Sequence, residues 1–423
     1  MPDVTLTDPL ELPCGTRIAN RIVKSAMTEG LADAKGRPTA RHCTLYKKWA
    51  QGEIGLSVTG NVMIDGRYLE RAGNVVLENN TDLPAFQAWA QAGTQAGCQL
   101  WMQISHPGRQ CLRLVNMHPI APSAQQLNMS GLAGKPRAMD DADIEDVIKR
   151  FAATATLAKQ AGFSGVQIHS AHGYLLSQFL SPLSNRRQDT WGGSLENRAR
   201  LLIEVVRAVR TAVGATFPIG VKLNSADFQK GGYDLDDCVR IAGWLGDEGI
   251  DLLEISGGSY ERFSFLGAED LEVRDSTRQR EAYFLEYADA ISTAAKVPLV
   301  ITGGFRTRSV MNEALASGKT DMIGIARPFC TDPHVAAKLL AGSLEKAPVF
   351  ENGLKLGNGW FGLNSSNSLI KGMNALAHTA WYYRQLILLS EDRSVTPNLS
   401  AIGALLRHSN NDFLLNIRRK LAS

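Results

Sequence analysis

The chain has 423 residues, 44% of them hydrophobic and 21% charged, which supplies a sizeable core and excludes a disordered chain. Its formal net charge is only +3 with Lys and Arg scattered, so it carries neither a nucleic-acid nor a membrane footprint, and small molecules are the expected partners. The opening MPDVTLTDPLEL has acidic residues and no apolar core, no run of about 18 apolar residues follows, and a cytoplasmic protein is expected.

Eight short apolar, β-branched runs recur along the chain: IVKSAM from Ile22, IGLSVTG from Ile54, CQLWMQIS from Cys98, GVQIHS from Gly165, IGVKLNS from Ile219, DLLEISGG from Asp251, PLVITGG from Pro298 and DMIGIAR from Asp321. They are too short and too uniformly apolar to be half-exposed, which suits parallel strands covered by helices. The segments between them read as amphipathic helices. Ile144, Val147, Ile148, Phe151, Ala155 and Ala158 fall at helical spacing, with aspartates at the N-terminal end and Gly162 placed to end the helix. Leu202, Val205, Val206, Val209 and Val213 repeat the pattern before Gly214, and Val239, Ile241 and Leu245 do so before Gly249. Eight such alternations predict a closed (β/α)8 TIM barrel ending near Arg327, with an open doubly wound sheet of six or seven strands as the alternative.

Two segments exceed the bare barrel. Residues 111–138 form a polar loop with Pro and Gly after the third strand, longer than most such connections and placed to act as a lid. The tail opens with Gly- and Asn-rich sequence and continues into helices around 374–389 and 401–421. The expected organisation is therefore a barrel over 1–347 and a helical extension over 348–423 packed on it. Cys14, Cys43, Cys98, Cys111, Cys238 and Cys330 are widely spaced without a C-x-x-C pair, so reduced structural thiols are expected rather than a zinc or iron–sulfur site.

In such a barrel, chemistry sits at the C-terminal ends of the strands. The fourth strand ends in His169, followed by His172 and Tyr174. Two imidazoles three residues apart can share one face and donate to one oxygen, and a phenol can supply a proton to carbon. A metal pair competes with this reading, but no third ligand pattern accompanies the histidines; two histidines merely satisfied at a rim are the bland alternative. Gly303 and Gly304 end the seventh strand, and Ala326 and Arg327 the eighth, where backbone N–H groups and a guanidinium can hold a phosphate. Lys222 lies inside an apolar strand, where an ammonium needs an electron-rich ligand or a carboxylate such as Glu254. Gln103 can bind an amide edge or satisfy core backbone.

The stretch HSAHGYLLSQFLSPLSNRRQDTWGGSLENRARLL from His169 closely resembles the signature of the Old Yellow Enzyme family of NAD(P)H:flavin oxidoreductases. NRIVKSAM at Asn20, QISHPGR at Gln103, KLNSADF at Lys222, ITGG at Ile301 and GIAR at Gly324 extend the resemblance over about residues 5–335. It implies an FMN-binding (β/α)8 barrel, with His169 and His172 binding the activating oxygen of the substrate and Tyr174 as proton donor. It further implies that Ala26, Met27, Thr28, Gly60, Gln103 and Lys222 surround the flavin ring, and that Gly303, Gly304, Ala326 and Arg327 hold its phosphate. The His–His pair and QISHPGR look like the subgroup often called thermophilic-like.

Three departures stand out. Thr28 occupies a position where that subgroup often has cysteine. Lys222 stands where many relatives have arginine, keeping the charge without the fork. The tail does not resemble the short subgroup tail that reaches into a neighbouring subunit, so a homo-oligomer is compatible with the sequence but its arrangement does not carry over. The resemblance implies a ping-pong ene-reductase in which NAD(P)H reduces FMN and an alkene conjugated to a carbonyl or nitro group is then reduced. An NAD(P)H oxidase or flavin-dependent demethylase on the same fold is the alternative enzyme. A metal-dependent barrel lyase is the alternative of another class, and a non-catalytic flavin-binding scaffold a third.

Overall fold

Eight parallel strands close on themselves in the computed structural model, which describes residues 3–80, 82–127, 133–256, 285–363 and 365–422. The strands are β1 (Ile22–Lys24), β2 (Leu56–Val58), β3 (Gln99–Ser105), β4 (Gly165–Ser170), β5 (Ile219–Asn224), β6 (Leu252–Ser256), β7 (Leu299–Thr302) and β8 (Met322–Ile325). Each pairs with the next, and β8 returns to β1 through Gly324 opposite Val23. The closed barrel is therefore present and the open sheet is not. All eight predicted runs are strands; Gly257 and Gly258, the end of the sixth run, lie outside the described residues.

Helices follow the strands in turn: α1 (Ala40–Ala50), α2 (Leu83–Gly93), α3 (Asp141–Gln160), α4 (Leu195–Val213), α5 (Leu235–Asp247), α6 (Ala288–Ala295), α7 (Arg308–Ala316) and α8 (Val335–Leu340). The aspartates read as a helix start form a reciprocal cap on α3. Asp140 accepts from the backbone N–H of Asp143 at 2.9 Å, and the Asp143 carboxylate accepts from that of Asp140 at 3.0 Å. Gly162 takes φ +89° just past the end of α3, a left-handed position that glycine adopts without strain.

The barrel interior is layered. At the N-terminal end Val23, Leu56, Trp101, Leu252, Val300 and Met322 form an apolar floor, closed by Leu10, Leu12 and Ile18 of a short hairpin. Trp101 fills the room left by two glycines: a Cβ on Gly165 would stand 2.5 Å from its Nε1, and one on Gly220 2.8 Å from its Cζ3. Strand alternation then places Gln103, Gln167, Lys222, Glu254 and Thr302 one layer higher, and Ser105, His169, Asn224 and Ser256 above them. The polar groups thus gather at the C-terminal ends.

The long loop after β3 carries a parallel pair of two-residue strands, Ile120–Ala121 and Arg137–Ala138, with residues 128–132 outside the described part. Two further helices end the chain, α9 (Ser368–Ser390) and α10 (Ala401–Ala422). α9 packs on α1 and on the turn Arg327–Cys330 after β8, with Trp381 fully buried and its Nε1 donating to the Leu399 carbonyl at 3.0 Å. α10 reaches the rim loops, where Asn416 donates to the Leu114 carbonyl at 3.2 Å and Arg419 to the Ala72 carbonyl at 3.1 Å. Among the described residues no helix is long and apolar enough to cross a membrane.

Candidate active site

The middle layer of the barrel is one hydrogen-bonded network. Lys222 Nζ lies 2.9 Å from Glu254 Oε1, with both side chains essentially fully buried. Thr302 Oγ1 donates to Glu254 Oε1 and Gln167 Nε2 to Glu254 Oε2, each at 2.7 Å, and Gln103 Nε2 donates to Gln167 Oε1 at 2.7 Å. Burial alone would raise the Glu254 carboxyl, but the Lys222 charge and these hydrogen bonds outweigh it and hold the group below the usual carboxylate range. Of the two sequence readings of Lys222, the carboxylate partner is therefore present, and Gln103 is anchored through its amide nitrogen to a neighbouring strand.

One layer up stand the two histidines. His169 is the penultimate residue of β4, whereas His172 takes φ +60° in the turn that follows, an uncommon conformation for a residue with a side chain. That turn is held by Asn224, whose Oδ1 accepts from the His172 N–H at 3.1 Å, and by Gln110, whose Nε2 donates to the His172 carbonyl at 3.2 Å. The two imidazole centroids are 5.4 Å apart and nearly perpendicular, and the Tyr174 ring is 4.6 Å from that of His169. Burial, reinforced by the charge on Lys222, pushes both imidazoles well below their ordinary pKa, so both are neutral at pH 7.

The tautomer of His169 follows from its neighbours. Asn61 Nδ2 donates to the Glu70 carboxylate at 3.2 Å, which turns Asn61 Oδ1 toward His169 Nδ1 at 2.9 Å. A neutral ring must then carry its proton on Nδ1 and leave Nε2 as an acceptor, and His169 Nε2 is buried without a hydrogen-bond partner. His172 Nε2 is 3.0 Å from Ser256 Oγ. At His169 the donor nitrogen is therefore Nδ1.

The remaining predicted residues line the same rim. Ala26, Met27 and Thr28 follow β1 and are half-buried, as are Gly303 and Gly304 after β7 and Ala326 and Arg327 after β8. Gly60 is buried against the first of these segments: a Cβ there would run into the Glu29 carboxylate and, at 2.5 Å, the Met27 carbonyl. Gly303 at φ +151° and Gly304 at φ +80° occupy conformations open to glycine. Arg327 is not a lone cation, since it shares Glu351 Oε1 with Arg306, each at 2.8 Å. Burial favours the protonated acid, yet Arg327 and Arg306 pull the Glu351 carboxyl down to about 2. Asn61, Glu70, Ser256 and Glu351 were missed from sequence because each meets its partner only once the chain has folded; Glu254 alone had a signal, a carboxylate in an apolar strand beside Lys222.

These residues fit FMN. The glycine pair with Arg327 suits a phosphate, the buried and unpartnered His169 Nε2 and Asn224 Nδ2 await hydrogen-bonding groups, and a charged lysine underlies the rim. Among the described residues no three His, Cys, Asp or Glu side chains gather as a metal site. The chain is 38% identical over 348 residues to the NADH-dependent flavin oxidoreductase iliE of Hypocrea jecorina (strain QM6a), covering 77% of this chain and 86% of that protein. Among solved structures it superposes on a 2-naphthoyl-CoA reductase complex with a TM-score of 0.75 and 27% identity, over 81% of this chain and 53% of that one. It also superposes on the old yellow enzyme homologue from Zymomonas mobilis with a TM-score of 0.70 and 27% identity, over 82% of this chain and 95% of that one. The model of the NADH:flavin oxidoreductase / NADH oxidase family matches residues 5–345, and the chain belongs to that family, the Old Yellow Enzyme family, as an NAD(P)H:flavin oxidoreductase that uses FMN.

Proposed function

We propose that the protein is an ene-reductase acting on alkenes conjugated to a carbonyl or nitro group, in a ping-pong cycle with NAD(P)H. The observation that carries this reading is the buried, neutral His169 and His172 beside Tyr174 at the end of β4. FMN, when bound, supplies the hydride chemistry between coenzyme and alkene. Ala26, Met27, Thr28, Gly60, Gln103 and Lys222 would surround its ring, and Gly303, Gly304, Ala326 and Arg327 its phosphate.

The chain's own residues then do three things. His169 Nδ1 and His172 Nε2, held in the structure by Asn61 and Ser256, are the nitrogens that a substrate oxygen would claim in their place. Hydrogen bonds from rings already neutral and oriented polarise that oxygen without reorganisation, which makes the β-carbon electrophilic. The Tyr174 phenol, buried beside His169, delivers a proton to the α-carbon and recovers it from solvent. The loop that follows β3 leaves from the C-terminal end of the barrel and would set which acceptors enter.

The test is an anaerobic visible spectrum of the purified protein, before and after NADH or NADPH and then 2-cyclohexenone. Flavin absorbance that bleaches with the coenzyme and returns with the enone is expected. Bleaching reversed only by oxygen would make the protein an oxidase and reject the alkene.

A further inference from the structure

We infer that Glu254 is a positioning residue for the flavin site, fixing Lys222 and offsetting its charge, and so setting how strongly the pocket favours the reduced, negatively charged flavin. The inference rests on reading Lys222 as a neighbour of the flavin ring. Two relays converge on this carboxylate. Glu254 accepts from Thr302, so the 2.8 Å contact between Ser25 Oγ and Thr302 Oγ1 runs from Ser25 to Thr302 to Glu254. The second runs from Gln103 to Gln167 to Glu254. With Lys222 added, Glu254 is tied to residues in or next to β1, β3, β4, β5 and β7, and it can move in none of these directions.

A lysine alone at this depth would present a full positive charge to the layer above, where His169, His172 and the expected flavin ring lie. The carboxylate 2.9 Å away reduces that charge to the field of a dipole. A pair buried this deeply is screened little by salt, so the balance acts on whatever sits over it. Removing the negative partner should therefore favour anionic forms of the flavin and its adducts; removing the positive partner should disfavour them. A purely structural pair would change stability and leave the flavin's electronics untouched.

Sulfite bleaching of the bound FMN reads this directly, because it creates negative charge on the ring without involving substrate or turnover. At about pH 6, Glu254→Gln should bind sulfite about tenfold more tightly and Lys222→Gln about tenfold more weakly. The reduction potential should rise and fall in parallel, tenfold corresponding to about 30 mV for a two-electron couple. If Lys222→Gln weakens sulfite binding while Glu254→Gln leaves it unchanged, the role of Glu254 is overturned and that of Lys222 stands. If neither moves, Lys222 is not beside the flavin, and the inference falls with the reading beneath it. Should Glu254→Gln not fold, Glu254→Asp, which draws the carboxylate back from Lys222 by one methylene, should bind sulfite more tightly than the parent, and an unchanged affinity overturns the proposal.

Discussion

The C-terminal rim of the barrel and the two closing helices are built on opposite terms. At the rim, polar side chains are buried and each is fixed by a group from another segment of the chain: His169 by Asn61, His172 by Ser256, Lys222 by Glu254. In the closing helices, large apolar side chains stand in solvent, Leu406 at 67% and Leu421 at 83% exposure, and a few anchors such as Trp381 hold the helices in place. Apolar packing and a few hydrogen bonds, those of Trp381, Asn416 and Arg419 among them, position the extension, whereas the rim depends on a network in which one lost partner strands a buried polar group. A substitution at the rim should thus change chemistry, and one on the helices should change stability only at an anchor.

The strongest test of that division is His169→Ala/His172→Ala. The double variant should lose about a thousandfold or more in kcat/KM for an enone while retaining FMN absorbance. Retained activity would remove the histidines from the chemistry. On the other side, Trp381→Ala empties a fully buried site between α9 and its surroundings and should cost about 3–5 kcal/mol in urea unfolding. Turnover per folded molecule should stay the same, and a fall would mean that the extension also shapes the site.

Acid sharpens the comparison further. Burial holds His42 down to about 3 and His106 to about 4, and burial with Arg71 holds His408 to about 4, all from 6.5. The unfolded chain therefore binds more protons than the native one below 6.5. Stability is full above that pH and declines as the pH falls toward 4, by up to about 1.4 kcal/mol per pH unit for each ring. A pH series of urea melts checks the slope; a flat profile from pH 7 to 5 would show that these rings are not buried neutral. The smallest effect is expected of Leu406→Gln, an exposed position on α10, which should stay within about 0.5 kcal/mol of the parent in the same melts.

Much of the barrel was legible because each element is locally consistent. The strands are buried on both faces, since one face meets helices and the other the barrel interior, and Gly162, Gly214 and Gly249 all take positive φ where the pattern ends a helix. The histidine turn was legible from its residue types at a strand end, though not the left-handed φ of His172 nor the Nδ1 proton of His169. Those two follow from Asn224, Gln110, Asn61 and Glu70, which come from other parts of the chain.

By itself, the sequence determined the alternation of eight strands with helices, the glycines that end the helices, the positions of His169, His172 and Tyr174, and membership in a flavin-using family. These depend on periodicity and on residues adjacent in the chain. Only the tertiary structure decided that Glu254 faces Lys222, that Gln103 donates its amide N–H to Gln167, that Glu351 is shared by Arg306 and Arg327, and that Trp101 occupies the space of Gly165 and Gly220. Barrel closure and the packing of the tail bring together residues from tens to more than a hundred positions apart, and an ion pair or a tautomer exists only once both partners share the same few ångströms.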